Sequence, residues 1–154
     1  MIIRGLTLWR PWDRAMRDLG KCIENREYPP PPHLIGHLVA LHSGKKWDAA
    51  GAEVIAEITG RLLRPDECPE SAIACVGRLA GYIPTDEESE PRPGWIVSGE
   101  QRRWLFGLYG WIIADRVAID PVACRGAQGL WRLPPEVEAE VLRRYEAARR
   151  THHE

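Results

Sequence analysis

Apolar and polar positions alternate or recur in blocks that mark out a mixed set of short elements. Ile2 to Leu8 reads as a first strand. Pro11 suits the first turn of a helix, and Trp12, Ala15, Met16 and Leu19 then recur at helical spacing until Gly20, a residue that commonly ends helices. A short strand from Lys21 to Arg26 follows, and the prolines at positions 29–32 form a stiff connector unable to join a central sheet. Gly36 to His42 is a strand, and Ser43-Gly44-Lys45-Lys46 reads as a turn carrying two adjacent cations. A helix is expected from about Lys46 to Leu62, with Trp47, Ala50, Val54 and Ile58 on its apolar stripe.

The second half repeats this mixture. Ala72 to Ile83 is a long strand in which Gly77 and Gly81 mark bulges or bends. Residues Pro84 to Gly94 are acidic and proline-rich, so they read as a surface loop, with a lid ending at Trp95 as the alternative. Tyr109 to Asp120 is a strand, and Gly129 to Leu133 a short closing one. Pro134-Pro135 starts a terminal helix whose stripe is Val137, Val141, Tyr145 and Ala148; the tail 151–154 is expected to fray. Five or six short strands with interspersed helices and no β-α-β repetition argue against a doubly wound sheet. They predict an α+β fold: one domain over residues 1–150, a small, mostly antiparallel barrel with helices at its rim.

Bulk properties narrow this little further. A chain of 154 residues can bury a core without staples. No apolar run approaches a membrane span, and the first residues lack the pattern of a secretory signal, so a cytoplasmic location is expected. The four cysteines show no paired spacing and are expected to be buried and reduced. His33 and His37 follow two prolines, which disfavours a helical two-histidine site; neither a metal nor a cofactor is expected. Charge is segregated: Met1 to Trp47 carries eight cations against four acids, and Asp48 to Glu100 four against eleven. A basic face opposite an acidic flank is compatible with a nucleic-acid or nucleotide partner.

Candidate chemistry gathers in three places. In Lys21-Cys22-Ile23-Glu24-Asn25-Arg26, a strand period of two sets Glu24 and Arg26 on one face, where they can pair. Lys21 joins them only if a turn re-aims it, which Gly20 permits. Lysine and arginine neutralise phosphate or polarise a carbonyl, and a glutamate accepts from a base edge or acts as a general base. The structural alternative is an ion-pair cluster pinning helix to strand. Trp9, Trp12 and Trp131 are candidates for base stacking, with packing the alternative for Trp9 and Trp131, whereas Trp47 and Trp111 belong to apolar stripes. His42 and Ser43 offer a proton carrier and a hydroxyl, and Lys45, Lys46, Arg102 and Arg103 can follow a phosphate backbone.

Those segments together resemble the ASCH family of PUA-like β-barrels, over nearly the whole length. Arg10-Pro11-Trp12 stands where the family has a Q-P-W-like turn. Lys21, Glu24 and Arg26 fill the charged positions of its G-x-K-x-x-E-x-R hallmark. Leu41-His42-Ser43 matches its H-x-S-like strand end, and Gly126 to Trp131 its late G-x-x-G-L-W segment. Leu19 occupies the family's first glycine position, and Arg10 replaces the glutamine, adding a cation to the presumed site. The resemblance implies binding of RNA or a nucleotide-like ligand in a cleft beside the barrel. Lys21, Glu24 and Arg26 would be its floor, Trp12 a wall, and Arg10, Lys45 and Lys46 a basic rim. Some members cleave RNA and one subgroup hydrolyses N4-acylated cytidine; that subgroup has a threonine where this chain has Glu24, so its activity does not carry over intact. A ribonuclease or nucleoside amidohydrolase is therefore the second expectation, with Lys21 and Glu24 as acid/base or electrostatic groups. A protein-interaction module using Asp86 to Glu90 is the third.

Overall fold

The computed structural model describes residues 1–85 and 98–153. Most of the expected acidic loop, with Trp95, lies outside them. Six strands form one sheet: β1 (Ile3–Arg10), β2 (Ile23–Arg26), β3 (Leu38–Trp47), β4 (Ala72–Pro84), β5 (Tyr109–Ala123) and β6 (Leu130–Trp131). Their order is β2-β5-β4-β3-β1-β6. Among the described residues only the β1–β3 pair is parallel; the other four pairs are antiparallel. The edge strands β2 and β6 are not paired with each other, so the expectation of a closed barrel is not met: the sheet is mixed and open. Both edges are short, as suits strands left unpaired on one side.

Four helices pack around the sheet: α1 (Trp12–Asp18), α2 (Ala49–Thr59), α3 (Gly99–Arg102) and α4 (Pro135–Thr151). Helix α4 covers one face, where Val141 and Tyr145 bury against Ile3, Ala40, Ile73, Val76 and Trp131. On the other face Leu6, Leu8, Val39, Leu41, Leu79 and Trp111 pack with Met16 of α1. Strand β1 therefore alternates its side chains between two cores, and Gly5 is required for it. A Cβ there would come within about 2.4 Å of the Trp131 ring.

Three expectations change on contact with the coordinates. Residues 43–46 are not a turn: β3 runs on to Trp47 and bulges there. Helix α2 begins later than expected, because the Asp48 side chain accepts from the Gly51 amide and fixes the helix start. Its buried residues are consequently Gly51, Ala52 and Ile55, and Ala50 is exposed. The short helix α3 had no periodic signal. The register shifts in β4 against β5 do include the positions around Gly77 and Gly81, as the glycines suggested.

Candidate functional site

Helix α1 is capped by Leu19, and Gly20 takes a left-handed backbone with φ of 81°. That turn reverses the chain so that the Lys21 amide donates to the Ala15 carbonyl, and the Lys21 side chain folds inward. It is 1 % exposed. Its Nζ donates to the Ile23 carbonyl and stands 5.1 Å from the centroid of the Trp12 ring. Burial pulls its pKa below the usual lysine value; the charge of Glu24 works the other way, and Arg116 and Arg26 deepen the fall.

Strand β2 pairs with β5 from Ile23 to Arg26, and its period places Glu24 and Arg26 side by side. Arg26 Nε lies 3.8 Å from Glu24 Oε1, an ion pair too long for a hydrogen bond. Glu24 Oε2 and Arg26 Nε are both buried and lack any hydrogen-bond partner among the described residues. Arg26 also rests 5.6 Å from the centroid of the Trp111 ring.

Above this floor opens a cleft of about 380 Å³. Its walls are Trp9, Trp12 and Phe106, and Lys21, Glu24 and Arg26 face into it. Trp12 is held rigidly. Its Nε1 donates to Asp48 Oδ2 at 2.8 Å, and a Cβ on Gly51 would come 2.7 Å from that nitrogen. Phe106 is half exposed and tilts against Trp12 at 6.0 Å between centroids. Asn25 puts it there. Its Oδ1 accepts from the Phe106 and Gly107 amides, and its Nδ2 donates to the Trp104 carbonyl. Phe106 and Asn25 were missed at the level of sequence. The one available signal was an apolar run, Trp104 to Leu108, broken by Gly107 just before a strand.

Of the other expected site residues, Lys46 stands at the cleft's edge and Arg10 and Ser43 are buried away from it. Arg10 does not stand on a basic rim. It is buried, and its guanidinium donates to the carbonyls of Gly44, Cys68 and Lys45 at 3.1, 2.8 and 3.0 Å while pairing with Glu70 at 3.5 Å. It ties the β3 bulge to the loop after α2. Ser43 is buried and donates to the Ala72 carbonyl at 2.9 Å, joining β3 to β4. Lys46 lies over Trp9, 3.6 Å from the ring centroid, at the cleft's edge.

His42 and Trp131 form a separate cluster behind Thr7. His42 Nε2 lies 2.8 Å from the Cys124 carbonyl and so carries the ring proton, which leaves Nδ1 to accept from the Thr7 hydroxyl at 3.2 Å. Trp131 meets His42 edge-on and donates from Nε1 to Thr7 Oγ1. Its ring is buried in the core with Ile3, Ala40 and Val141. Burial lowers the His42 pKa, against the opposing pull of the Cys124 carbonyl.

No protein-family model and no curated protein matches this chain. Solved structures do. The crystal structure of ASCH from Zymomonas mobilis aligns over 92 % of this chain and 94 % of its own, with a TM-score of 0.54 and 15 % identity. Two variants of that protein, one with a tyrosine changed to phenylalanine and one with a serine changed to alanine, align over the same share of this chain with TM-scores of 0.52 and 0.53. The chain has the fold of an ASCH domain.

Proposed function

We propose that this chain binds RNA or a nucleotide-containing ligand in the cleft over Lys21, Glu24 and Arg26. The observation that carries the reading is Glu24, which lines a hollow walled by aromatic rings and whose buried Oε2 has no hydrogen-bond partner among the described residues. Leaving such a group unsatisfied costs about 1–3 kcal/mol or more. A base edge that brings an N–H to it recovers that cost on binding. Arg26 Nε, which likewise has no hydrogen-bond partner among the described residues, suits a carbonyl or phosphate oxygen. Trp12 and Phe106 offer faces for stacking, worth about 1–3 kcal/mol per base.

The test is fluorescence anisotropy with short single-stranded RNA at low salt, comparing the natural chain with Glu24→Gln, which keeps shape and removes charge. Salt-sensitive binding that weakens at least tenfold in the variant supports the reading. Equal affinity in both overturns it.

A second reading, hydrolysis of RNA or of a modified nucleoside, draws on the burial of Lys21. An amine whose pKa is lowered by enclosure can exchange a proton nearer neutrality, and Glu24 lies on the same floor. Incubation with labelled RNA and with N4-acetylcytidine tests it. Product formation that disappears in Lys21→Met favours turnover, and no product beyond that control counts against it.

A further inference from the structure

A second cavity lies on the other side of Thr7. It measures about 340 Å³; Thr7 and His42 line it together with Lys45, Ser71, Arg125 and Gln128. Thr7 also lines the aromatic cleft, so the two hollows share a wall. Among the described residues no acidic side chain lines the second one.

The strand bulge stands between them. From Leu8 to Arg10 strand β1 advances two positions, whereas β3 advances four, from Ser43 to Trp47. The surplus is pushed outward. Gly44 makes the close approach possible, since a Cβ there would sit 3.0 Å from the Leu8 carbonyl oxygen. Lys45 and Lys46 are left exposed at this point. Lys46 reaches over Trp9 of the first hollow, and Lys45 lines the second. Arg10 fixes the bulge from behind by accepting nothing and donating to the Gly44 and Lys45 carbonyls. A bulge braced in this way holds two cations at the junction instead of leaving them on a mobile turn.

We infer that the second cavity continues the cleft and holds the phosphate and sugar of an adjoining nucleotide. The ligand is then a single-stranded polynucleotide and not a free nucleoside. The chemistry of the lining fits: Lys45 and Arg125 neutralise a phosphate, while the Gln128 amide and Ser71 hydroxyl serve sugar oxygens. A base laid against the exposed side of Trp12 or Phe106 has left its stack, which suits an unpaired strand. The inference rests on the cleft reading above, and the experiment separates the two.

Cytidine 5′-monophosphate and a cytidylate hexanucleotide are titrated by calorimetry at low salt, and the hexanucleotide again at several salt concentrations. The hexanucleotide is expected to bind at least tenfold more tightly. Lys45→Gln combined with Arg125→Gln, both exposed positions, should bring it down to the level of the mononucleotide. The slope of log affinity against log salt should shrink by about 1.4, two contacts at about 0.7 each. Mononucleotide binding with no gain for the hexanucleotide overturns the continuation and leaves the cleft. A hexanucleotide advantage and salt slope that survive in the double variant overturn it as well. Binding of neither ligand overturns both.

Discussion

Lys21 Nζ lies 5.1 Å from the centroid of the Trp12 ring, and the side chain that carries it is almost wholly enclosed. Among the described residues its one side-chain hydrogen bond goes to the Ile23 carbonyl. Folding alone would be served as well by an apolar side chain of that length, because a buried cation loses hydration that one carbonyl and one ring only partly replace. Lys21→Met is therefore expected to leave the melting temperature unchanged or raise it, and to weaken nucleotide binding at least tenfold. Thermal denaturation and anisotropy on the same preparation check this. A melting temperature lowered by more than about 5 °C would give Lys21 a structural role instead.

Asn25 builds a wall of the cleft from a distance of about eighty residues, through three hydrogen bonds to the backbone of Trp104, Phe106 and Gly107. Asn25→Ala should cost about 2–3 kcal/mol, at about 1 kcal/mol for each bond. Asn25→Asp keeps the acceptor and should lie between. Hydrogen exchange reads the effect locally: the Phe106 and Gly107 amides should lose protection in the alanine variant and retain most of it in the aspartate variant.

Arg10 is a brace, and its replacement should register in stability before it registers in binding. Its guanidinium donates to four carbonyls, those of Gly44 and Lys45 in β3 and of Pro65 and Cys68 after α2, a fork that lysine cannot reproduce. Arg10→Lys is expected to lower stability by about 2–3 kcal/mol in chemical denaturation. At a temperature where both proteins are folded, mononucleotide affinity should stay within threefold of the natural chain.

Asp13 gives a pH-dependent signature. Burial pushes its carboxyl up to about 6 from 3.8, and Oδ1 has no hydrogen-bond partner among the described residues. Below 3.8 the group is neutral whether the chain is folded or unfolded, and there is no penalty. As pH rises from 3.8 to about 6 the unfolded chain ionises first, so stability is lost through that window and the loss is complete above it. Asp13→Asn mimics the neutral form. It should stabilise the fold by about 1–3 kcal/mol at pH 7, and the gain should shrink towards zero near pH 4. Denaturation curves for the pair across that range check the sign, since His42 and other titrating groups are common to both.

What could be read from the sequence was local. Gly20 announced the turn that re-aims Lys21, the period of two announced the Glu24–Arg26 pair, and the stripe through Val141 and Tyr145 announced the face of α4 that meets the sheet. The misreadings share one cause, which is that their determinants are far away in the chain. Arg10 looked like a free cation because its partners are backbone carbonyls, and carbonyls leave no trace in residue type. Gly44-Lys45-Lys46 looked like a turn because a bulge in β3 is defined only against β1. Phe106 drew no reading because only Asn25 carries it to the cleft. The barrel was inferred from the number and shortness of the strands, which do not tell whether the edges meet, and the two-residue β6 is not paired with β2.

The most direct measurement is a two-dimensional 1H–15N NMR titration with the cytidylate hexanucleotide. The account predicts that the largest shifts fall on the Trp12 indole N–H and on the amides of Glu24, Asn25, Arg26 and Gly107, with smaller ones at Lys45 and Gln128. Shifts confined to the separate groove beside Tyr145 and Arg149, or none at millimolar ligand, would contradict it.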